Sequence, residues 1–287
     1  MKRIFVIVLI ALRSLSFASD VQQWSRLCRG IDFIMYKSQE PVLQAVYAVR
    51  VDLQDKSLYF FTTPDNGERP FETDTQTTGA FLTQYKLALA VNANFFNPCC
   101  SKDVQPVDLL GYAVSSGRLV SENLQIAEDS GVAEVPVQGS AVMMITKDNK
   151  VSFSRCDSDE MPALMKNAYN AVTGGPVLLK KGTNLIEEPD DAVRHPRTAA
   201  GTSKDGRYLY FVVIDGRQKG YSDGANLKET AEWLLKIGAY DGINLDGGGS
   251  SSLVWIGEEE TPVTLNKPSG GAQRLVGNNI GIGIRQD

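Results

Sequence analysis

The chain has 287 residues, of which 43% are hydrophobic, and a formal net charge of −5 at pH 7. This length and composition suit one large folded domain with a sizeable core. The acidic balance argues against nucleic acid or an anionic membrane as a partner, because both are bound through clustered basic residues.

The N-terminus predicts a signal peptide over residues 1–18. Lys2 and Arg3 precede an apolar run from Ile4 to Leu12, and Ser16-Phe17-Ala18 is a small-residue cleavage site. The apolar run is much shorter than the roughly 20 residues that span a bilayer. We therefore expect an exported protein, periplasmic, at the cell surface or extracellular, whose residues 19–287 form a single domain without a membrane span.

The four cysteines, Cys28, Cys99, Cys100 and Cys156, form an even set in a chain that is expected to enter an oxidising compartment. Three full disulfide connectivities are possible. A bond between the adjacent Cys99 and Cys100 is geometrically awkward, so we expect each to pair with a distant partner. A zinc site is disfavoured, because the sequence has no CxxC pair and a single histidine.

Runs rich in β-branched and aromatic residues predict strands along most of the chain. Leu43 to Leu53 and Leu58 to Thr62, with Asp55 and Lys56 as a turn between them, predict an opening β-hairpin. Leu124 to Gly139 is polar and typical of a surface loop. Further strands are predicted over Leu87 to Phe96, Gly111 to Val114, Ala141 to Thr146, Val151 to Ser154, Val177 to Lys180 and Tyr208 to Ile214.

Helices are fewer. Asn226 is a suitable N-cap with Glu229 three residues later, apolar residues follow at helical spacing, and Gly238 ends the pattern. Shorter helices are predicted over Thr75 to Gln84 and Met161 to Tyr169. These elements predict an α+β fold, with one domain of mostly antiparallel or mixed β-sheet and a few packed helices.

The most informative cluster follows a short apolar strand and consists of Asp246, Gly247, Gly248, Gly249 and Ser250. Glycines adopt the positive-φ conformations of an anion-binding nest, and the serine hydroxyl adds a donor, so this loop is suited to a phosphate. It is not a P-loop, because no lysine follows the glycines, and it lacks the spacing of a dinucleotide motif. A tight turn between two strands would use the same residues.

A basic segment opens a later strand. Arg194 and Arg197 carry guanidinium groups, which suit phosphate oxygens, and Arg197 is the stronger candidate because it begins the strand. A solvated surface position is the alternative. His195 lies between them, but with Pro196 beside it and no GxSxG segment in the chain, a serine–histidine triad is disfavoured.

Asp215, Gly216 and Arg217 end another apolar strand in the same manner as Asp246. Two carboxylates facing one cleft could cleave a glycoside, one by delivering a proton and the other by assisting water or attacking. Asp-Gly is also a common turn dipeptide. Small polar clusters at other strand ends add candidate ligand-binding residues, which are Asn94, Thr173, Gly174, Gly175 and Asn278.

Taken together, six segments resemble the phosphodiester glycosidase family and occur in the family's order over about Asn92 to Ile284: NANFFNP, TGGPVLL, RHPRTAAG, VVIDGRQKG, INLDGGGSSSLVW and NNIGIGI. The resemblance is most specific from Arg197 to Trp255. It implies an α+β domain with a surface cavity, and an activity that removes α-linked N-acetylglucosamine from a phosphodiester. The site residues that it carries over are Asn94, Arg197, Asp215, Asp246, Gly247, Gly248, Gly249 and Ser250.

The chemistry of these residues suggests their roles. Arg197 and the glycine–serine loop would hold the phosphodiester. Asp215 and Asp246 would divide the acid, base or nucleophile work, and Asn94 would position the sugar. The substrate site would be completed by Thr173, Gly174, Gly175, Gly216, Arg217 and Asn278.

The sequence therefore predicts a hydrolase that removes a sugar from a sugar-1-phosphodiester, acting on a glycan or glycoconjugate without a cofactor. Two other functional hypotheses stay open. One is a non-catalytic sugar-phosphate binding module of the cell envelope. The other is a metal-dependent phosphodiesterase that cuts the P–O bond, with Asp215, Asp246 and Asn94 as ligands of a divalent cation.

Overall fold

The fold is described from a computed structural model, which describes residues 23–123, 140–187, 189, 192–257 and 259–285. The predicted leader and the predicted loop over 124–139 lie outside these residues. The helices are α1 (Thr78–Gln84), α2 (Met161–Met165) and α3 (Leu227–Ile237). The strands are β1 (Ser25–Cys28), β2 (Ile31–Ser38), β3 (Gln44–Asp52), β4 (Leu58–Thr62), β5 (Thr73–Asp74), β6 (Leu89–Asn92), β7 (Phe96–Asn97), β8 (Pro106–Leu109), β9 (Gly111–Ser115), β10 (Arg118–Asn123), β11 (Ala141–Ile145), β12 (Val151–Arg155), β13 (Asn170–Gly174), β14 (Val177–Lys180), β15 (Thr183–Asn184), β16 (Arg197–Thr202), β17 (Tyr208–Ile214), β18 (Asp241–Asn244), β19 (Leu253–Ile256), β20 (Pro262–Thr264) and β21 (Asn279–Ile284).

The strands form four sheets. The largest has the order β1-β2-β3-β17-β16-β18-β14-β15. Two five-stranded sheets have the orders β10-β9-β13-β11-β12 and β20-β19-β6-β21-β4, and a small sheet has the order β5-β8-β7. The central pairs of the large sheet are antiparallel, as are those of the other sheets. The predicted α+β fold, mostly antiparallel with few helices, is confirmed.

Both faces of the large sheet are buried, which explains the nearly continuous apolar runs of its central strands. On β17, Leu209, Phe211 and Val213 point into the core shared with the two five-stranded sheets. Tyr210 and Val212 point to the other face, where they pack with apolar residues of α3. Successive side chains of a strand alternate between faces, so one run supplies two cores.

The helix α3 follows its sequence signals closely. The Asn226 side chain accepts a hydrogen bond from the Glu229 backbone N–H at 2.8 Å, and the Glu229 carboxylate accepts one from the Asn226 N–H at 3.1 Å. This reciprocal cap contributes about 1 kcal/mol. Gly238 ends the helix with φ +105°, a conformation that favours glycine. The prediction for α3 is confirmed, while α1 and α2 are shorter than predicted.

The predicted opening hairpin is wrong. Strand β3 pairs with β2 on one side and β17 on the other, so both of its edges are occupied. Strand β4 instead pairs with β21, the last strand of the chain. The turn at Asp55 therefore leads the chain from one sheet into another.

Candidate active site

A surface cavity of about 320 Å³ lies where β6, β17 and β18 end and β16 begins. Its lining contains basic residues, one carboxyl group, the glycine loop and an apolar portion. The lining residues are Phe95, Phe96, Cys99, His195, Arg197, Arg217, Asn244, Asp246, Gly247, Gly248, Gly249 and Arg274.

Asp246 is the carboxyl group of this lining. It follows β18 and is held from both sides of its backbone: its N–H donates to the Ala93 carbonyl at 2.9 Å, and its carbonyl accepts from Asn92 Nδ2 at 2.6 Å. Burial raises the pKa of its carboxyl group to about 7, against the opposing effects of the Ser250 hydroxyl, the Arg274 charge and the Gly247 N–H. The group can therefore carry a proton near neutral pH.

The glycine loop uses its amides inside the protein. The Gly247 N–H bonds with the Asp246 carboxylate, the Gly248 N–H donates to the Pro196 carbonyl at 2.8 Å, and the Ser250 N–H donates to the Gly247 carbonyl at 3.2 Å. These three amides are thus not open to an anion, as the predicted nest would require.

The glycines instead permit close approach, because they have no side chains. A Cβ on Gly247 would lie 2.8 Å from the Pro196 carbonyl oxygen. A Cβ on Gly249 would collide with the Arg274 guanidinium, and one on Gly248 would lie 3.4 Å from Arg217 Nη1. Two guanidinium groups can therefore pack directly on the loop backbone.

Three arginines make the cavity basic. Arg197 begins β16 and donates from Nε to the Ala225 carbonyl at 2.9 Å. Arg217 lies just beyond β17 with φ +58°, a conformation that non-glycine residues rarely adopt and that occurs often at functional sites. Arg274 reaches the loop from the segment before β21, with Nη1 3.5 Å from Ser250 Oγ. Sequence reasoning missed Arg274, which follows no recognisable motif.

His195 is a neutral member of the lining. Its Nδ1 lies 3.0 Å from Arg217 Nη2. Arginine can only donate, so Nδ1 is the acceptor and the proton of the neutral ring is on Nε2. Burial and the charges of Arg217 and Arg197 lower the pKa of His195. His195 is therefore a hydrogen-bond donor at Nε2.

Asp215 is placed differently from Asp246. It is 1% exposed and is absent from the described cavity lining. Its carboxylate accepts from Asn266 Nδ2 at 2.9 Å, from the Lys267 N–H at 2.9 Å and from the Tyr221 hydroxyl at 3.0 Å. Burial nevertheless raises the pKa of this carboxyl group. Asp215 anchors the chain that leads to Arg274.

Asn94 also has no polar atom left for a sugar. It is 0% exposed, and its Nδ2 donates to the carbonyls of Leu110 and Tyr112, both at 3.2 Å. Its Oδ1 accepts from the Thr173 N–H at 3.0 Å and from Asn278 Nδ2 at 2.9 Å. The Asn94 amide is saturated, and Asn94, Thr173 and Asn278 are buried and absent from the described cavity lining.

The other predicted glycines act through close packing. A Cβ on Gly174 would collide with the Asn244 carbonyl, which accepts from the Gly175 N–H at 2.8 Å. A Cβ on Gly216 would lie 2.7 Å from both the Gly224 Cα and the Pro196 nitrogen. Gly174 and the Gly175 N–H thus hold the end of β18, and Gly216 lets the chain pack closely against the segment around His195.

The expectation of distant disulfide partners is wrong for two cysteines. Cys99 and Cys100 are bonded to each other, with Cα atoms 3.7 Å apart. Cys100 has φ +78°, which turns the chain sharply at this point. Cys28 and Cys156 are thiols in separate parts of the core, and burial raises the pKa of each to about 11.

The described residues bring no group of three or more histidine, cysteine, aspartate or glutamate side chains together. None of the three described helices has the length and hydrophobicity that crossing a bilayer requires.

The fold and the cavity define an α+β domain with a basic surface cavity, which contains one carboxyl group whose pKa burial raises to about 7. The family model for phosphodiester glycosidase matches residues 85–283, and the chain belongs to this family. Membership indicates an enzyme with glycosidase-type hydrolysis.

Comparison with known proteins agrees with this family membership. The bovine (Bos taurus) N-acetylglucosamine-1-phosphodiester alpha-N-acetylglucosaminidase is 28% identical over 187 residues, which are 59% of this chain and 31% of that protein. The match thus spans about a third of the relative's length.

Two solved structures share the fold. One is the zebrafish N-acetylglucosamine-1-phosphodiester alpha-N-acetylglucosaminidase catalytic domain, auto-inhibited by pro-peptide, with a TM-score of 0.64, 19% identity and coverage of 90% of this chain and 83% of that one. The other is a hypothetical protein from Synechocystis, with a TM-score of 0.60, 16% identity and coverage of 89% and 62%.

Proposed function

We propose that this protein hydrolyses the glycosidic bond of a sugar-1-phosphodiester, and that Asp246 is its general acid. The observation that carries the proposal is the position of Asp246, a buried carboxyl group with a pKa of about 7, in a cavity lined by three arginines. A site that only bound an anion would gain nothing from a carboxyl group that ionises beside the ligand.

The basic residues supply the binding energy for the phosphodiester. Arg197, Arg217 and Arg274 offer planar guanidinium groups, which suit phosphate oxygens. The Nε2–H of His195 adds a neutral donor. The single negative charge of a phosphodiester complements the positive charge of the three arginines in this lining.

The chemical step needs little from the protein besides placement and a proton. Protonated Asp246 donates its proton to the bridging phosphate oxygen while the bond between that oxygen and the sugar C1 breaks, and the bonding electrons stay with the oxygen. Water adds to C1 and returns a proton to the carboxylate. The products are a free sugar and a phosphomonoester. The arginines stabilise the charge that develops on the phosphate.

Asp215, predicted as the second catalytic carboxylate, becomes a positioning residue in this proposal. Its bonds to Asn266 and Lys267 fix the start of the segment that carries Arg274.

N-Acetylglucosamine is the proposed sugar, because the bovine and zebrafish relatives are N-acetylglucosamine-1-phosphodiester alpha-N-acetylglucosaminidases. Export through the predicted leader belongs to the same proposal. The Cys99–Cys100 disulfide supports it, because disulfides persist in oxidising compartments.

The proposal is tested by incubating the purified protein with a GlcNAc-α-1-phospho-mannoside and measuring free GlcNAc by mass spectrometry. We expect Asp246→Asn to lose at least 100-fold in rate, in the range of a lost general acid. Arg274→Ala should raise KM about tenfold or more, consistent with the loss of a charge-assisted bond.

Arg118→Ala is the matched control for Arg274, because Arg118 is a 79% exposed arginine on β10. It should behave as the parent does. Unchanged turnover in Asp246→Asn would remove Asp246 from the chemistry, and release of no sugar from this or related GlcNAc-1-phosphodiesters would reject the function.

A further inference from the structure

The cavity has an apolar portion that the phosphate-binding proposal does not use. Phe95, Phe96 and Cys99 contribute to its lining beside the basic residues. Phe95 is half-buried and Cys99 is exposed at the surface. Ligand sites in proteins commonly combine such apolar surface with a few polar groups that set orientation.

This apolar portion is fixed to the same frame as Asp246. Ala93, two residues before Phe95, accepts the Asp246 N–H at 2.9 Å, and the Phe95 carbonyl accepts the Leu110 N–H at 2.8 Å. Phe96 is 4% exposed and pairs with Leu109 on β8. The aromatic residues therefore keep their place relative to the carboxyl group.

The Cys99–Cys100 bond determines how Cys99 is held in the cavity lining that it shares with Phe95. A bond between adjacent residues closes an eight-membered ring, so Cys99, which lines the cavity, holds its sulfur and methylene group in one compact ring with those of Cys100. Gln105 Nε2 donates to the Pro98 carbonyl at 3.2 Å and ties this turn back to the body of the protein. Reduction would replace the ring with two separately rotating thiols.

We propose that Phe95 and the Cys99–Cys100 disulfide form a platform for the C–H face of the sugar ring, so that affinity for the sugar part of the ligand depends on the intact disulfide. The inference rests on the proposed function, which places the phosphate at the arginines. A pyranose ring has a face of C–H groups, and these gain dispersion energy against an aromatic ring and polarisable sulfur. Phosphate binding would not depend on this platform.

The test measures the dissociation constants of N-acetylglucosamine 1-phosphate and inorganic phosphate by isothermal titration calorimetry. The proteins are the oxidised parent, the parent kept in dithiothreitol, Cys99→Ser/Cys100→Ser and Phe95→Ala. Dithiothreitol reduces the bond to two thiols and is itself oxidised to a cyclic disulfide. We expect the sugar phosphate to bind at least fivefold more weakly to the last three, and inorganic phosphate to change by less than twofold.

The double serine variant is also the control for the reductant. Dithiothreitol should not change its affinities, because Cys28 and Cys156 are already thiols. Equal sugar-phosphate affinity before and after reduction would overturn the platform. Equal weakening of both probes would also overturn it, since that result means that the arginine site itself had been disturbed.

These measurements do not require turnover, so they separate the platform from the proposed function. In one outcome the protein cleaves no phosphodiester and still loses its preference for N-acetylglucosamine 1-phosphate over inorganic phosphate on reduction. That result would support the platform and reject the hydrolase. An oxidised protein that binds neither probe would overturn the platform together with the phosphate site.

Discussion

Asp246 and Asp215 are both aspartates that follow central strands, yet their surroundings differ. Asp246 belongs to the cavity lining, and its carboxyl group has a pKa near 7. Asp215 has three donors on its carboxylate, from Asn266, Lys267 and Tyr221, and lies outside that lining. The same residue type thus supplies a titrating group at one position and an anchor at the other.

The pKa of Asp246 predicts the pH dependence of the reaction. A general acid must be protonated, and burial keeps the proton on Asp246 up to about pH 7. We expect kcat/KM to be constant below that pH and to fall about tenfold per pH unit above it. A decline below pH 7 instead would make the ionised carboxylate the active form. The measurement is a pH–rate profile between pH 5 and 9, corrected for enzyme stability.

Substitution of the two aspartates by asparagine is expected to have opposite effects on the free energy of unfolding. Between the unfolded pKa of about 3.9 and the folded pKa of about 7, the folded state binds more protons through Asp246, so stability falls as the pH rises across this window. Asp246→Asn removes this cost and should stabilise the protein at pH 8 by on the order of 2 to 4 kcal/mol, with little difference near pH 4.

Asp215→Asn is the matched comparison. Burial raises the pKa of Asp215 too, but its carboxylate accepts three hydrogen bonds, and the new amide NH₂ would meet a donor such as the Lys267 N–H, so this variant should destabilise the protein by about 1 to 3 kcal/mol. Urea denaturation of the parent and both variants at the two pH values checks this. Two variants that lose stability equally at pH 8 would contradict the distinction between them.

At the residue scale, the sequence predicted part of the cavity lining. Arg197, Arg217 and Asp246 lie in it: Arg217 and Asp246 follow strands that were recognisable from their apolar runs, and Arg197 begins the strand that was predicted after the basic segment. Asn94 has a similar local signal but is saturated by partners from distant strands. Arg274 reaches Gly249 only through tertiary packing, and a single sequence contains no sign of that contact.

At the scale of elements, the position of β18 depends on close approach to β13. The Gly174 Cα packs against the Asn244 carbonyl, so any side chain there would push the two strand ends apart. Because Asp246 is two residues beyond Asn244, this contact sets where the carboxyl group lies.

Gly174→Ala tests the dependence of the site on this contact. The new methyl group meets backbone atoms, which cannot rotate away, so we expect the free energy of unfolding to fall by more than about 2 kcal/mol. We also expect kcat to fall by a larger factor than KM changes. Gly270→Ala is the control, because its Cβ would meet nothing closer than the Ala272 carbonyl at 4.0 Å. Thermal melts and steady-state kinetics measure both. Parent-like activity in Gly174→Ala would show that β18 does not need the glycine.

Elements with local signals were predicted and long-range pairings were not. The N-cap, apolar spacing and terminal glycine of α3 all lie within a few residues of the helix. The pairing of β4 with β21 joins residues more than two hundred positions apart, such as Leu58 and Ile284. A local pattern gives the period of a strand but not the identity of its partner, so proximity in sequence suggested a hairpin that the fold does not contain.

For the whole molecule, the net charge and the local charge have opposite signs. The chain carries −5 overall, whereas the described cavity lining holds three arginines and one carboxyl group that is partly protonated near neutral pH. An acidic exterior disfavours long polyanions, and a small basic cavity concentrates positive potential on a compact one. This combination favours a single phosphodiester group over a nucleic-acid chain.

The same charge distribution predicts which bond is cut. A divalent cation is held by several carboxylates, but this lining offers guanidinium groups that would repel it, which disfavours metal-assisted attack on phosphorus. Hydrolysis of a GlcNAc-α-1-phospho-mannoside in H₂¹⁸O should therefore place the label in the sugar and none in the phosphomonoester, with the rate unchanged by EDTA. Unlabelled GlcNAc kept in the same water corrects for exchange at the anomeric oxygen. Label in the phosphate, with a rate that EDTA abolishes, would identify the protein as a metal-dependent phosphodiesterase and would require carboxylate ligands that the cavity lining does not present.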